Sequence, residues 1–269
     1  MFQGGYTLID ADSIYFRTCC VTKNKKDIRK NIDHAMTQIR RECMTDDMFV
    51  AVKGHGNFRK DLYPKYKANR PALAPDLKEA LEYGHEYIIH KHNAVMANGM
   101  EADDLVSIWA YECMSNDTDY TIVGIDKDLL QIPGNHYNFV KQTHTTVDVD
   151  TADYNLMLQC LVGDSSDNIP GIKGVGPKKA AGILHGVPMQ RRWNRVKAAY
   201  RMHNTTGADL SRTLLTMLRS FEEYETVRNK IENKTHQRQQ DVWGAGQTHV
   251  QDERILSVSE RGEGSSSRD

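Results

Sequence analysis

Five short apolar or aromatic runs, YTLIDAD (6–12), MFVAV (48–52), AVM (94–96), YTIVGI (120–125) and YNFVK (137–141), alternate with stretches of helical spacing. Over residues 25–43 the apolar side chains Ile28, Ile32, Met36, Ile39 and Cys43 recur at that spacing. Helices are also expected over 73–92, with Leu77, Leu81 and Ile88 on one side, over 99–114 with an acidic first turn, and from Thr151 onward. Strands that alternate with helices bury both faces of a mostly parallel central sheet, so the class is α/β. Beyond residue 187 the pattern is purely helical, and after Asn233 it turns polar and Gly/Ser-rich. The expected organisation is a first domain over 1–162, a helical region over 163–232 and a loosely packed tail over 233–269.

Within this frame the string LVGDSSDNIPGIKGVGPKKAAG (161–182) carries the most chemistry. Asp164 and Asp167 follow an apolar helical run, and an acid pair three apart can share one helix face and one hard cation. The chain then breaks at Pro170-Gly171 and enters a turn spaced by Gly171, Gly174 and Gly176, ahead of Pro177 and two lysines. Free backbone N–H groups and a helix N-terminus there suit an anion such as phosphate. Taken alone, the same string also fits a solvated Asp pair and an ordinary connection between two helices.

Charge is balanced overall at −1 but unevenly placed. Residues 53–70 hold six Lys/Arg against Asp61, and no acid lies between Asp167 and Asp209, where Lys173, Lys178, Lys179, Arg191, Arg192, Arg195, Lys197 and Arg201 fall. Basic segments offset by acids elsewhere describe a phosphate-tracking surface beside a metal-binding pit. The five cysteines form no CxxC and read as reduced, and His85, His90 and His92 read as a solvated helix face rather than a zinc site. With no apolar run of membrane-spanning length and no leader pattern, no membrane partner is expected and the setting is cytoplasmic.

Active sites of open parallel sheets form at the carboxyl ends of the strands. Asp10 and Asp12 end the first run, Glu101, Asp103 and Asp104 lie where the third hands over to a helix, and Asp126 and Asp128 follow the fourth. Asp164 and Asp167 join them from the C-terminal side. So many carboxylates at one edge repel unless cations hold them, and oxygen ligands without Cys or His select Mg²⁺ or Mn²⁺. Two such ions about 4 Å apart can activate water and stabilise the leaving oxygen of a phosphodiester. Each cluster also has a plain reading: acids of a first helical turn for 101–104, a turn and N-cap for 126–128.

GMEADD, GIDKD and GDSSDNIPGIKGVGPKKAA, in this order, resemble the 5′-to-3′ exonuclease and flap endonuclease family. Its members include the 5′-nuclease domains of bacterial DNA polymerase I and stand-alone bacteriophage exonucleases. The resemblance runs from about Leu8 to about Gly186, with a weaker helical echo to residue 232. It implies a helical arch over the site, about 59–98 here, and a helix–three-turn–helix element that grips duplex DNA and often holds K⁺. It assigns Asp10, Glu101, Asp103, Asp104, Asp126, Asp128, Asp164 and Asp167 to two or more Mg²⁺ ions, for which Mn²⁺ can substitute.

FRKDLYPKYKANR resembles the family's arch entrance. There Tyr66 stacks on a base, while Lys67 and Arg70 contact the scissile phosphate as the catalytic cations. Arg59, Gly174, Gly176, Lys178 and Lys179 complete the implied nucleic-acid contacts. Val52 departs from the family, which has an aspartate there, and Asp12 is also unusual; Asp12 is expected to supply part of the missing charge.

The leading reading is a metal-dependent 5′-nuclease, monomeric, acting on DNA with a 5′ flap or 5′ end and on RNA–DNA hybrids of primers. It is cytoplasmic, in the host cytoplasm if phage-encoded. A related single-domain ribonuclease and a catalytically silent branched-DNA binding protein are the competitors. The glycine turn and basic helices of 171–201 favour a duplex-binding enzyme over the former, and only Val52 supports the latter.

Overall fold

The computed structural model describes residues 5–233. Six strands form one sheet in the order β3-β2-β1-β4-β5-β6: β1 (Tyr6–Asp10), β2 (Met48–Lys53), β3 (Val95–Ala97), β4 (Tyr120–Val123), β5 (Gly134–Asn138) and β6 (Thr143–Val147). All neighbours are parallel except β6, which returns antiparallel along β5. The strand order reverses at β1, which pairs with β2 on one side and β4 on the other. This is the switch point at which open α/β sheets leave a crevice at their carboxyl edge.

Helices α1 (Asp12–Val21), α2 (Lys25–Cys43) and α4 (Pro75–His92) cover one face. Their Ile14, Ile28, Ile32, Ile39, Leu81 and Ile88 join Ile9, Val50, Val52, Val123 and Tyr137 of the strands in one core. Strand side chains alternate between faces, and α5 (Ala102–Ser115) packs on β1, β2, β3 and β4. The Asn24 side chain caps α2 by accepting from the N–H groups of Lys26 and Asp27.

A second core gathers α6 (Val149–Val162), α7 (Pro177–Leu184), α8 (Met189–Met202) and α9 (Ala208–Leu215). Leu156, Cys160, Ile172, Ala180, Val196 and Leu214 are among its residues, and Tyr66 is buried with them. Between α6 and α7 the chain makes a short antiparallel pair, β7 (Gly163–Asp164) with β8 (Ile169–Pro170). Gly163 at φ +78° lies so close to Gly171 that a Cβ on it would meet the Gly171 nitrogen at 2.3 Å. That contact folds the segment back on itself.

Several expectations change here. No boundary falls at residue 162: one compact unit runs to Glu223 and a second begins at Tyr224. In the second unit, residues 224–233 are helical, with Arg228 bonded to Glu232. The segment 59–98 does not stand clear as an arch, because α4, its longest helix, is packed on α1 and α2 through Ala80, Leu81 and Ile88. α3 (Phe58–Leu62) and a turn over 63–70 precede it. The tail expected from 233 on lies outside the described residues, Asn233 apart. Among the described residues no helix is long and apolar enough to cross a membrane.

Candidate active site at the sheet switch point

Asp10 ends β1 and Asp126 follows β4, so both sit at the carboxyl edge of the two strands flanking the switch point. Between them Gly124 allows close approach: a Cβ there would lie 3.6 Å from the Asp10 Cβ and collide with Leu129. Asp10 is buried, and its Oδ1 accepts the Asp12 N–H at 3.1 Å. Burial first, then the charges of Asp12 and Asp126, push the Asp10 carboxyl up to about 8.

Asp103, in the first turn of α5, is raised well above the carboxylate range by burial and by Glu101, Asp104 and Asp10. Its Oδ1 accepts the Asp104 N–H at 2.8 Å. Asp126 Oδ1 accepts the Asp128 N–H at 2.9 Å at the start of a 3₁₀ turn over Lys127–Gln131. Asp128 is raised to about 6, by burial first and then by Asp126, although Gln159 Nε2 donates to it. Asp10, Asp103 and Asp128 are thus all raised by burial and by a neighbouring acid.

Three other acids are balanced by the chain's own cations. Burial opposes the Glu101 charge, yet Lys67 and Arg59 outweigh it and hold this carboxyl below its ordinary value. Tyr66 Oη lies 2.7 Å from Glu101 Oε2 and 2.9 Å from Asp167 Oδ2, and Lys67 Nζ bonds Glu101 and reaches Asp167 at 3.5 Å. Arg70 Nη2 donates to Asp167 Oδ1 at 2.8 Å. Asp164 is also held low against burial: Lys127 Nζ donates to Oδ2 at 2.8 Å, and the N–H groups of Ser166 and Asp167 donate to Oδ1 at 2.7 and 3.2 Å.

Among the described residues no three carboxylate, imidazole or thiol groups converge as a preformed metal cage. The donor set still fits a hard divalent cation. It is all oxygen, and at Asp10, Asp103 and Asp128 burial first, then neighbouring acids, drive the carboxylates towards protonation, a charge that a bound cation would offset.

Beside the acids lies an open cleft of about 630 Å³ lined by Lys127, Asp164, Ser165 and the 171–176 turn. Cβ atoms added at Gly174 (φ +80°) or Gly176 would meet no atom within 4 Å, so these glycines leave backbone bare towards the outside. Lys178 and Lys179 are exposed beside it, Lys179 bonded to the Gly174 carbonyl at 2.9 Å.

The model for the N-terminal resolvase-like domain of 5′–3′ exonucleases matches residues 5–156. The chain belongs to the 5′–3′ exonuclease family. It is 29% identical over 205 residues to DNA polymerase I of Pseudomonas aeruginosa, covering 70% of this chain and 22% of the polymerase. It therefore spans about a fifth of that relative's length. A flap endonuclease Xni of Shewanella sp. is 27% identical over 195 residues, 66% of this chain and 73% of that one. In fold it is similar to a bacteriophage T5 flap endonuclease solved with DNA and metal ions, with a TM-score of 0.62 and 18% identity over 80% of this chain and 88% of that one.

Set against the family's pattern, this exonuclease-family chain places some expected site residues elsewhere. Arg59 is buried and its guanidinium clasps Asp104, so it is not free to touch nucleic acid. Asp104, fully buried, accepts from that guanidinium instead of facing the other acids. Tyr66 is 3% exposed within the second core, which removes its ring from base stacking. Asp164 and Asp167 do not share a helix face, since α6 ends at Val162. Val52 is buried in the first core, and Asp12 Oδ1 is taken by the Lys53 N–H at 2.9 Å and the Tyr15 hydroxyl at 3.0 Å, so Asp12 ties α1 to β2. Lys67 and Arg70 border the acids, with Arg70 half exposed.

The sequence reading missed Lys127 and Gln159. Lys127 was legible as the cation between two acids in GIDKD. Gln159 follows Asn155 by one helical turn on α6, and both side chains reach back to the 3₁₀ segment.

Proposed function

We propose that this chain is a divalent-metal-dependent 5′-nuclease that hydrolyses phosphodiester bonds at or near the 5′ ends of DNA, flaps included. The observation that carries this reading is the placement of Asp10 and Asp126 at the carboxyl edge of the paired strands β1 and β4, with Asp126 near enough to raise Asp10 and Asp10 near enough to raise Asp103. Asp10, Glu101, Asp103, Asp126, Asp128, Asp164 and Asp167 would hold Mg²⁺, or Mn²⁺ in its place. When bound, such ions supply an activated water and a Lewis acid for the leaving oxygen.

The protein's own groups do the rest. Lys67 and Arg70, which neutralise Glu101 and Asp167 in this structure, exchange those partners for the phosphate undergoing cleavage. The bare turn at Gly174 and Gly176, with Lys178 and Lys179, holds duplex backbone as the family's helix–three-turn–helix element, at which K⁺ is a fitting ion. Primer RNA–DNA hybrids are secondary substrates, and the chain works as a monomer.

One observation favours a second reading, a branched-DNA binding protein without catalysis: Lys67, Arg70 and Lys127 already neutralise three of the acids. Incubating the full chain with a labelled 5′-flap DNA separates the two. Release of the flap in Mg²⁺ or Mn²⁺ and its loss with chelator supports the nuclease. Tight binding without cleavage in either metal supports the binder.

A further inference from the structure

We propose that Arg59 and Asp104 form a positioning pair, which sets the first turn of α5 against the Tyr66–Lys67 turn and the 214–218 segment. The inference rests on the nuclease reading and assigns these residues neither a metal nor a DNA contact.

An ionised carboxylate offers about four lone-pair sites, and in Asp104 four N–H donors occupy them. Oδ1 accepts Arg59 Nη2 at 2.8 Å and the Leu218 N–H at 3.1 Å. Oδ2 accepts Arg59 Nη1 at 2.5 Å and the Glu101 N–H at 3.0 Å. Nothing is left for a metal ion. Arg59 uses four of its five N–H groups, for besides the two to Asp104, Nε donates to the Leu214 carbonyl at 2.7 Å and Nη2 also to that of Thr216 at 3.0 Å.

The pair is wired to both halves of the site. On one side Asp104 fixes the Glu101 backbone, and its own N–H orients the Asp103 carboxylate. On the other, the Arg59 carbonyl accepts the Tyr63 N–H at 2.9 Å, and the Tyr63 carbonyl accepts the Tyr66 N–H at 2.8 Å. The Lys67 N–H then bonds the Asp167 carbonyl at 2.9 Å. The spacing between the α5 acids and the Lys67 ammonium is therefore held both by the direct Lys67–Glu101 contact and by one buried ion pair. The same pair gives the 214–218 segment, remote in sequence, a hold on that spacing.

Calorimetric Mn²⁺ titration and flap-cleavage kinetics on the full-length parent, Asp103→Asn, Asp104→Asn, Arg59→Lys and the Arg59→Lys/Asp104→Asn double variant test this. Asp104→Asn should bind Mn²⁺ within about threefold of the parent while kcat falls about a hundredfold and KM changes little, as misplacement without lost binding requires. Asp103→Asn should lose at least about tenfold in Mn²⁺ affinity. The double variant should be no slower than the slower single one, because the two act as a unit. Equal Mn²⁺ losses in Asp104→Asn and Asp103→Asn would overturn the proposal, as would multiplying effects in the double variant. A parent that binds no Mn²⁺ contradicts the nuclease reading itself. The pair is then judged, as it is if Asp104→Asn fails to fold, by hydrogen exchange of Arg59→Lys: faster exchange in both 59–67 and 214–218 supports it, and unchanged exchange overturns it.

Discussion

Lys127 sets its ammonium 2.8 Å from Oδ2 of Asp164, a carboxylate whose side chain is 3% exposed while the lysine is 63% exposed. A buried acid thus draws its counter-charge from a side chain that can swing into solvent. Lys127→Met should destabilise the metal-free protein by about 1 kcal/mol, well short of a fully buried pair because the lysine end is solvated. Added Mg²⁺ should recover that loss. Urea denaturation with chelator and with Mg²⁺ checks this, and an unchanged midpoint in chelator would show the contact to be idle.

Tyr66 gives a second test. Its hydroxyl sits between Glu101 and Asp167, and its ring is packed in the second core. Tyr66→Phe keeps the ring and removes the donor, and should cost about 1–2 kcal/mol without changing flap affinity. A drop in DNA affinity at unchanged stability would return Tyr66 to the nucleic-acid interface.

Val52 tests the first core. Because it is fully buried there, Val52→Asp introduces a carboxylate without a counter-charge and should destabilise by about 3 kcal/mol or more. The measurement is a denaturant titration. A stable variant with a lower Mg²⁺ requirement would mean that this position does face the metals.

Asp10 fixes a pH dependence. Its folded carboxyl titrates near 8, whereas an unfolded aspartate releases its proton near 4. Between those values the native state binds more protons, so this group's contribution to stability falls as pH rises through that window. In chelator the parent should therefore lose more Tm between about pH 6 and 8 than Asp10→Asn, and Mg²⁺ should raise the parent's Tm most at pH 8. Parallel curves for the two proteins would remove Asp10 from the charged cluster.

The sheet was readable because its central strands are short apolar runs, and the acids could be placed because parallel strands deliver their carboxyl ends to one edge. β6 went unseen: four of its five residues in THTTV are exposed, so no apolar alternation marks it. α1 was missed behind the carboxylates of IDAD, although Ile14, Tyr15, Thr18 and Cys19 bury one helical face. The pairing of charges was the least legible layer. Arg59 finds Asp104 forty-five residues away and Leu214 a further span beyond, and only the folded chain brings them together. Spacing alone put Asp164 and Asp167 on a helix, whereas Gly163 at positive φ had already ended it.

The central claim is that carboxylates at the switch point hold the ions that cleave DNA, and Asp103→Asn tests it most directly. Single-turnover cleavage of a labelled 5′-flap by parent and variant is measured in saturating Mg²⁺, with flap affinity measured separately in Ca²⁺. The account predicts a rate loss of about a hundredfold or more with DNA affinity within about threefold. A variant that cleaves as fast as the parent would contradict it.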